Sequence, residues 1–342
     1  MRSFDYVKTY NKLIDADLMR AVCGIHELKG KCEQYCLADN EAACALADVA
    51  KVHITQHSNN IEGIVTTKER MVKLVAKKVK PMNFAEEEIA GYRDVLNLVL
   101  GNYKNIELSH ASILQIHKIL YQHTNSSFGG KFKQTDNVIV SLLPDGSKVE
   151  RFKPTPALQT PQAVKDICKA YNEAINLGLD ALVLISVFIL DFLCIHPFSD
   201  GNGRISRLLT LLLLLQAGYT VGQYISIEKL IDKHRDLYYD ALAESSANWH
   251  KNKNEYCHFN NFLLGMITYA YNDFVQRASV FDEPKPKRIE AYIKNNFRKI
   301  QKSEIIDSCP DISQTTVQRT LNNLRKSKKI QKIGGGRYTY YI

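Results

Sequence analysis

The stretch His196-Pro197-Phe198-Ser199-Asp200-Gly201-Asn202-Gly203-Arg204-Ile205-Ser206-Arg207 lies between two apolar runs, Ala181–Ile195 before it and Leu208–Ala217 after it. The runs read as buried helices. Between them a proline, two glycines and an asparagine interrupt the apolar pattern, so the backbone must turn sharply where the two helices meet. Gly201-Asn202-Gly203 opening onto a helix that starts near Arg204 leaves several unpaired N–H groups pointing outward. With the positive end of the helix dipole they form an anion site of the kind phosphate occupies. Arg204 and Arg207, three apart, share one helical face and suit phosphate oxygens as planar donors. Asp200 adds a hard oxygen ligand, and Mg²⁺ is usually held by one or two carboxylates plus substrate phosphates. His196, across the turn, titrates in the range general bases use. Each feature alone is ordinary: a histidine before proline is commonly a cap, and Asp-Gly and Asn-Gly are turn chemistry. All of them within twelve residues exceed what a plain turn needs.

These residues resemble the signature of the Fic family (filamentation induced by cyclic AMP), H-P-F-x-D/E-G-N-G-R-x-x-R, and every fixed position is met. The resemblance implies a mostly α fold, a helical bundle with a small β-hairpin flap. It also implies transfer of AMP from ATP to a Ser, Thr or Tyr hydroxyl of a target protein, with pyrophosphate leaving. His196 would be the base, Asp200 the Mg²⁺ ligand and Gly201, Asn202 and Gly203 the phosphate cradle. Arg204 and Arg207 would hold the β- and γ-phosphates, and Phe198 would anchor the loop. Related death-on-curing toxins, which phosphorylate, have Asn-Ala-Asn-Lys or similar where this chain has Asp-Gly-Asn-Gly, a departure that favours nucleotidyl transfer.

Upstream, a helix over about 40–60 ends in Ser58-Asn59-Asn60-Ile61-Glu62-Gly63, where the glycine is a natural C-terminal stop. The hexapeptide resembles the family's inhibitory motif S/T-x-x-x-E-G/N, which implies that Glu62 pairs with Arg207 and keeps the ATP γ-phosphate from its productive pose. A carboxylate on that guanidinium competes directly with an anionic phosphate for the same donors. Alternating apolar residues from Gly129 to Pro156 around Asp145-Gly146 read as a hairpin. By resemblance it is the flap, whose edge pairs with the target segment near 130–152. Tyr239, in an expected helix over Ser226–Trp249, is by resemblance a wall of the adenine pocket.

The chain has 342 residues, 45% hydrophobic and 24% charged, which allows two or three domains and a core that needs no staples. The start reads as polar, without a signal peptide, and no apolar run approaches the roughly 20 residues of a membrane span. Eight cysteines without a C-x-x-C pair read as reduced thiols rather than a zinc site. A cytoplasmic protein is expected. The formal charge of +9 is concentrated at the end: residues 284–342 carry 14 Lys or Arg against four Asp or Glu. After the linker Glu283-Pro284-Lys285-Pro286-Lys287, three short helices and a Gly-turned two-stranded wing follow the pattern of a winged helix. Its recognition helix would begin at Ser313. DNA contact and protein contact both remain open for it, as does homo-oligomerisation. The division expected is 1–100 (N-terminal helices carrying 58–63), 101–282 (catalytic core) and 283–342. A second class of function is also open: a DNA-binding regulator whose Fic body senses nucleotide. So is removal of AMP, or use of another nucleotide or a phosphocholine donor, at the same site.

Overall fold

The structure is a computed structural model that describes residues 2–36, 41–142, 148–281, 283–296 and 298–342. It is mostly helical. The helices are α1 (Tyr6–Leu13), α2 (Ala16–Cys36), α3 (Glu41–Ile61), α4 (Lys68–Val75), α5 (Phe84–Asn102) and α6 (His110–Leu120). A hairpin of β1 (Ile139–Leu142) and β2 (Lys148–Phe152) comes next, then α7 (Thr160–Asn176), α8 (Ala181–Ile195), α9 (Asn202–Gln216), α10 (Ile227–Lys233), α11 (Arg235–Ser246) and α12 (Cys257–Ala278). The C-terminal part is α13 (Lys285–Asn295), β3 (Ile300–Gln301), α14 (Lys302–Ser308), α15 (Gln314–Lys326), β4 (Lys332–Ile333) and β5 (Tyr340–Tyr341).

Helix α8 and the second half of α9 form the centre because they are apolar nearly all round, which in a globular fold means burial on every side. From Leu182 to Ile195 only Leu193 is not fully buried, and Arg204 to Leu215 are all buried. The Asp180 side chain caps α8 by accepting from the Leu182 N–H at 2.8 Å. Pro197 cannot continue that helix, so α8 ends on His196 in the left-handed region, φ 51°, with its N–H closing the last turn on the Phe192 carbonyl. Gly201 takes φ 82° to restart the chain as α9. Around this pair α2, α3, α5, α7, α11 and α12 lay their apolar faces into one cluster that runs from Tyr6 to Ala278. The core crosses residue 100 without a break. A separate cluster, Ile289 to Tyr341, serves the C-terminal module.

Three details depart from the sequence expectation. The helix expected over Ser226–Trp249 is two helices, because the His234 N–H is shared between the Leu230 and Ile231 carbonyls and its backbone leaves helical space. The two C-terminal strands expected to pair do so as β4 and β5, but a third strand joins them in the order β3-β5-β4, since Ile300 pairs with Tyr341 on the edge opposite β4. Helix α7 is not anticipated in the sequence reading, although its buried face, Ala163, Val164, Ile167, Ala170, Tyr171 and Ala174, follows helical spacing. The hairpin strands pair antiparallel, Val140 opposite Glu150, while the Asp145-Gly146 turn lies outside the described residues.

Candidate active site

The junction between α8 and α9 is fixed by side chains that bond to its backbone. Asn202 accepts from the Phe198 N–H at 2.9 Å and donates to the Phe198 carbonyl at 2.8 Å, so its amide closes the loop rather than facing outward. Phe198 is fully buried and stacks on His117, with ring centroids 3.7 Å apart and planes within 2°. His117 accepts at Nδ1 from the Gly130 N–H at 2.9 Å, which leaves its proton on Nε2 to donate to the Asp200 carbonyl at 3.1 Å. Burial lowers the pKa of His117 to about 4, so it stays neutral in this tautomer. Nothing in sequence spacing points to His117.

His196 uses the same logic to opposite effect. Its Nδ1 lies 3.2 Å from the Leu193 carbonyl, and a carbonyl only accepts, so the neutral ring carries its proton there and presents Nε2 as a free lone pair. Burial, and then Lys133, lower its pKa to about 4, so the ring is unprotonated at neutral pH. Lys133 is itself buried, its pKa lowered to about 8 by burial, and its ammonium donates to Asn137 at 2.8 Å and to the Ile195 carbonyl at 3.1 Å. The segment before the hairpin is thereby tied to the turn carrying His196.

Beyond Gly201 the N–H groups of Asn202, Gly203 and Arg204 begin α9, where a helix has no carbonyls of its own to offer them. Asp200 stands at the mouth with its side chain 61% exposed. Its Oδ2 accepts from the Tyr121 hydroxyl at 2.7 Å, leaving Oδ1 without a described partner. An exposed, oriented carboxylate beside free N–H donors fits a hard divalent cation arriving with phosphates.

The two arginines do not share one outward face. Arg204 is 1% exposed and turned inward, where its Nη2 donates to Glu88 of α5 at 2.8 Å and to the Tyr121 hydroxyl at 2.7 Å. That places it behind Asp200, which it reaches at 3.4 Å. Its Nε and Nη1 are buried without a partner among the described residues. Arg207 is gripped by the end of α3 and the residue that follows it: Nε donates to the Ser58 hydroxyl and Nη2 to the Ser58 carbonyl, both at 2.8 Å, and Nη2 also donates to Glu62 Oε1 at 2.7 Å. Burial works against the charge on Arg207, but Glu62 offsets it and keeps the guanidinium protonated. Glu62 reaches this position because α3 ends there: the Ile64 N–H returns to the Asn59 carbonyl and Gly63 takes φ 77°. The carboxylate also lies over the first turn of α9, since a Cβ on Gly203 would sit 2.2 Å from Glu62 Oε1.

Tyr239 is half-buried on α11, packed against Tyr238, and its carbonyl accepts from Arg151 of β2 at 2.9 Å. Arg151 lies over its ring at 5.5 Å, so this aromatic joins the hairpin to α11. Glu88, Tyr121, His117 and Lys133 are partners that motif reading misses, because each lies 60 or more residues from the turn it supports.

A profile of the Fic/DOC family matches residues 107–214, from the start of α6 through most of α9. This chain carries a Fic domain. Among similar sequences, a protein adenylyltransferase Fic from Culex quinquefasciatus is 30% identical over 155 residues, 43% of this chain and 26% of that protein. Protein adenylyltransferase fic-1 of Caenorhabditis elegans is 27% identical over 124 residues, 36% of this chain and 22% of that one. The chain thus spans about a quarter of the length of these curated relatives. In fold, a Fic family protein from Desulfovibrio desulfuricans G20 matches with TM-score 0.62 at 18% identity over 96% of both chains. A Fic domain containing signaling protein from Bacteroides thetaiotaomicron gives 0.63 at 20% identity, over 75% of this chain and 98% of that one. Among the described residues no helix is long and apolar enough to cross a membrane.

Proposed function

We propose that the Fic domain of this chain transfers AMP from ATP to a hydroxyl side chain of a target protein and of itself, and that Glu62 restrains it. The observation that carries the reading is the pairing of His196, with Nε2 unprotonated, with the open N-terminus of α9 across one turn. His196 Nε2 takes the proton of an incoming Ser, Thr or Tyr hydroxyl. The oxygen attacks the α-phosphorus, the bond from that phosphorus to the bridging oxygen breaks, and pyrophosphate leaves. The N–H groups of Asn202, Gly203 and Arg204 hold phosphate oxygens, where oriented donors count most because they need no reorganisation. Arg204 serves by bracing Tyr121 and Asp200 from behind. Mg²⁺ would be held by Asp200 together with the phosphates, and when bound it neutralises charge on the pyrophosphate. Tyr239 is the proposed wall of the adenine pocket, and the hairpin the proposed seat of the target segment.

Restraint follows from competition. Ser58 and Glu62 take up the Nε and Nη2 donors of Arg207 that a γ-phosphate would need, and the Glu62 carboxylate sits over Gly203 where that anion would lie. Incubation with α-labelled ATP and Mg²⁺ tests the whole. The native chain should label itself weakly, Glu62→Gly at least tenfold more, and the double variant Glu62→Gly/His196→Ala not at all. An inert but folded Glu62→Gly protein would overturn the reading.

A further inference from the structure

The C-terminal module keeps its charges apart. Glu290 is taken by Lys294 and Lys329, Glu304 by Arg298, and Asp311 by Arg288, while Asp307 faces the body, 3.7 Å from His53 and 3.9 Å from Lys68. All four of its acids are therefore engaged. From Ile312 to Ile342 there is no Asp or Glu and there are seven Lys or Arg. Lys302, Arg319, Arg325, Lys326 and Lys328 have no ion pair among the described residues, and they lie on α15, the turn that follows it and the adjacent start of α14, while Lys332, likewise without one, lies on β4.

Helix α15 itself is two-sided. Ser313 caps it by accepting from the Thr316 N–H, and Val317, Leu321 and Leu324 fill the module's core. The other side presents Gln314, Thr315, Gln318, Arg319 and Asn322, which with Lys302 and Lys326 border a shallow trough. Amides and a guanidinium on one exposed helical stripe are the side chains that read adenine and guanine edges in pairs of hydrogen bonds. Lysines at its ends, Lys302 half-buried and Lys326 exposed, are the groups that meet phosphates.

We propose that this face of α15 docks in the major groove of duplex DNA, with Lys302 and Lys326 on the flanking phosphates. The three helices and the sheet β3-β5-β4 then act as a winged helix, with the Gly334–Gly336 turn beside the backbone. Duplex DNA is the occupant because its major groove, about 12 Å wide, admits a helix, whereas the corresponding groove of duplex RNA is too narrow for side chains to read. Every side chain that borders the trough is polar or charged, so it lacks the aromatic and aliphatic centre of a stable protein interface.

The test is fluorescence anisotropy of the full chain with a labelled mixed-sequence DNA duplex across a salt series. Binding should weaken with salt along a log–log slope of about −0.9 per phosphate contacted, and Lys302→Ala/Lys326→Ala should flatten the slope by about 2. Arg319→Ala should narrow the spread of affinities among different duplex sequences. These side chains make no described contacts, so the variants should unfold at the native temperature, which separates lost binding from lost fold. No binding at low salt by the folded protein, equal affinity for an RNA duplex, or a slope untouched by the double variant would each overturn the proposal. The last would place the DNA on another face of the chain. None of these readouts depends on nucleotide transfer.

Discussion

At His196 one hydrogen bond fixes which ring nitrogen carries the proton, while burial keeps the ring neutral. Its pKa is lowered to about 4 because burial, then Lys133, disfavour the imidazolium. The active neutral form therefore persists well below the ordinary histidine range. In a pH profile of kcat/KM for Glu62→Gly, which reports the free enzyme, the acid limb should fall nearer pH 4 to 5 than 6.5. Lys133→Met removes a positive neighbour while leaving the burial, so it should move that limb modestly to higher pH; a limb that moves down would contradict the assignment. The same linkage acts on stability through His117. Its folded pKa of about 4 lies below the unfolded value, so the folded state binds fewer protons. Stability from this group is complete above about pH 6.5 and is lost as pH falls toward 4.

At the scale of elements, the turn between α8 and α9 depends on packing at Phe198 and on the missing side chain at Gly203. Phe198→Ala leaves a hole between His117, Phe132 and Phe192, and should cost about 3–5 kcal/mol by denaturant unfolding. Gly203→Ala acts differently. The new methyl meets the Glu62 carboxylate and should loosen the hold of α3 on Arg207, yet it also fills the cradle. Self-labelling should therefore stay low, and ATP affinity measured in the Glu62→Gly background should drop about tenfold or more. Activation by Gly203→Ala alone would show that the cradle lies elsewhere.

In the whole molecule the N-terminus is anchored on the helix that carries the site. Arg2 reaches Asp191 of α8, 3.6 Å away and fully buried, and donates to Asn254 at 2.9 Å and to the Tyr256 hydroxyl at 2.5 Å. Asp191 also accepts from the Trp249 indole at 2.6 Å. Burial raises the pKa of Asp191 even with Arg2 beside it. Removing Arg2 strands a buried carboxylate, for which breaking such pairs costs about 3–5 kcal/mol. A raised folded pKa means the folded state binds more protons, so stability is gained as pH falls. The deficit of Arg2→Ala, measured by unfolding, should thus be larger at pH 8 than at pH 5.

Local chemistry determined the parts of this protein that lie close together in the chain. Apolar runs named α8 and α9, the Pro and Gly residues between them named the turn, and twelve consecutive residues carried the proposed base, carboxylate and anion site, because helix termini and turns follow from neighbouring residues. Tertiary structure alone decided what lies far apart in the sequence. Arg204 and Arg207 have the same local signature, yet Glu88 and Tyr121 draw one inward while Ser58 and Glu62 hold the other over the cradle. The proton positions on His117 and His196 likewise depend on which group the fold brings to each Nδ1, a backbone N–H in one case and a carbonyl in the other. Spacing along a helix fixes which side chains are neighbours on its surface; only the packing of other helices fixes what those side chains meet.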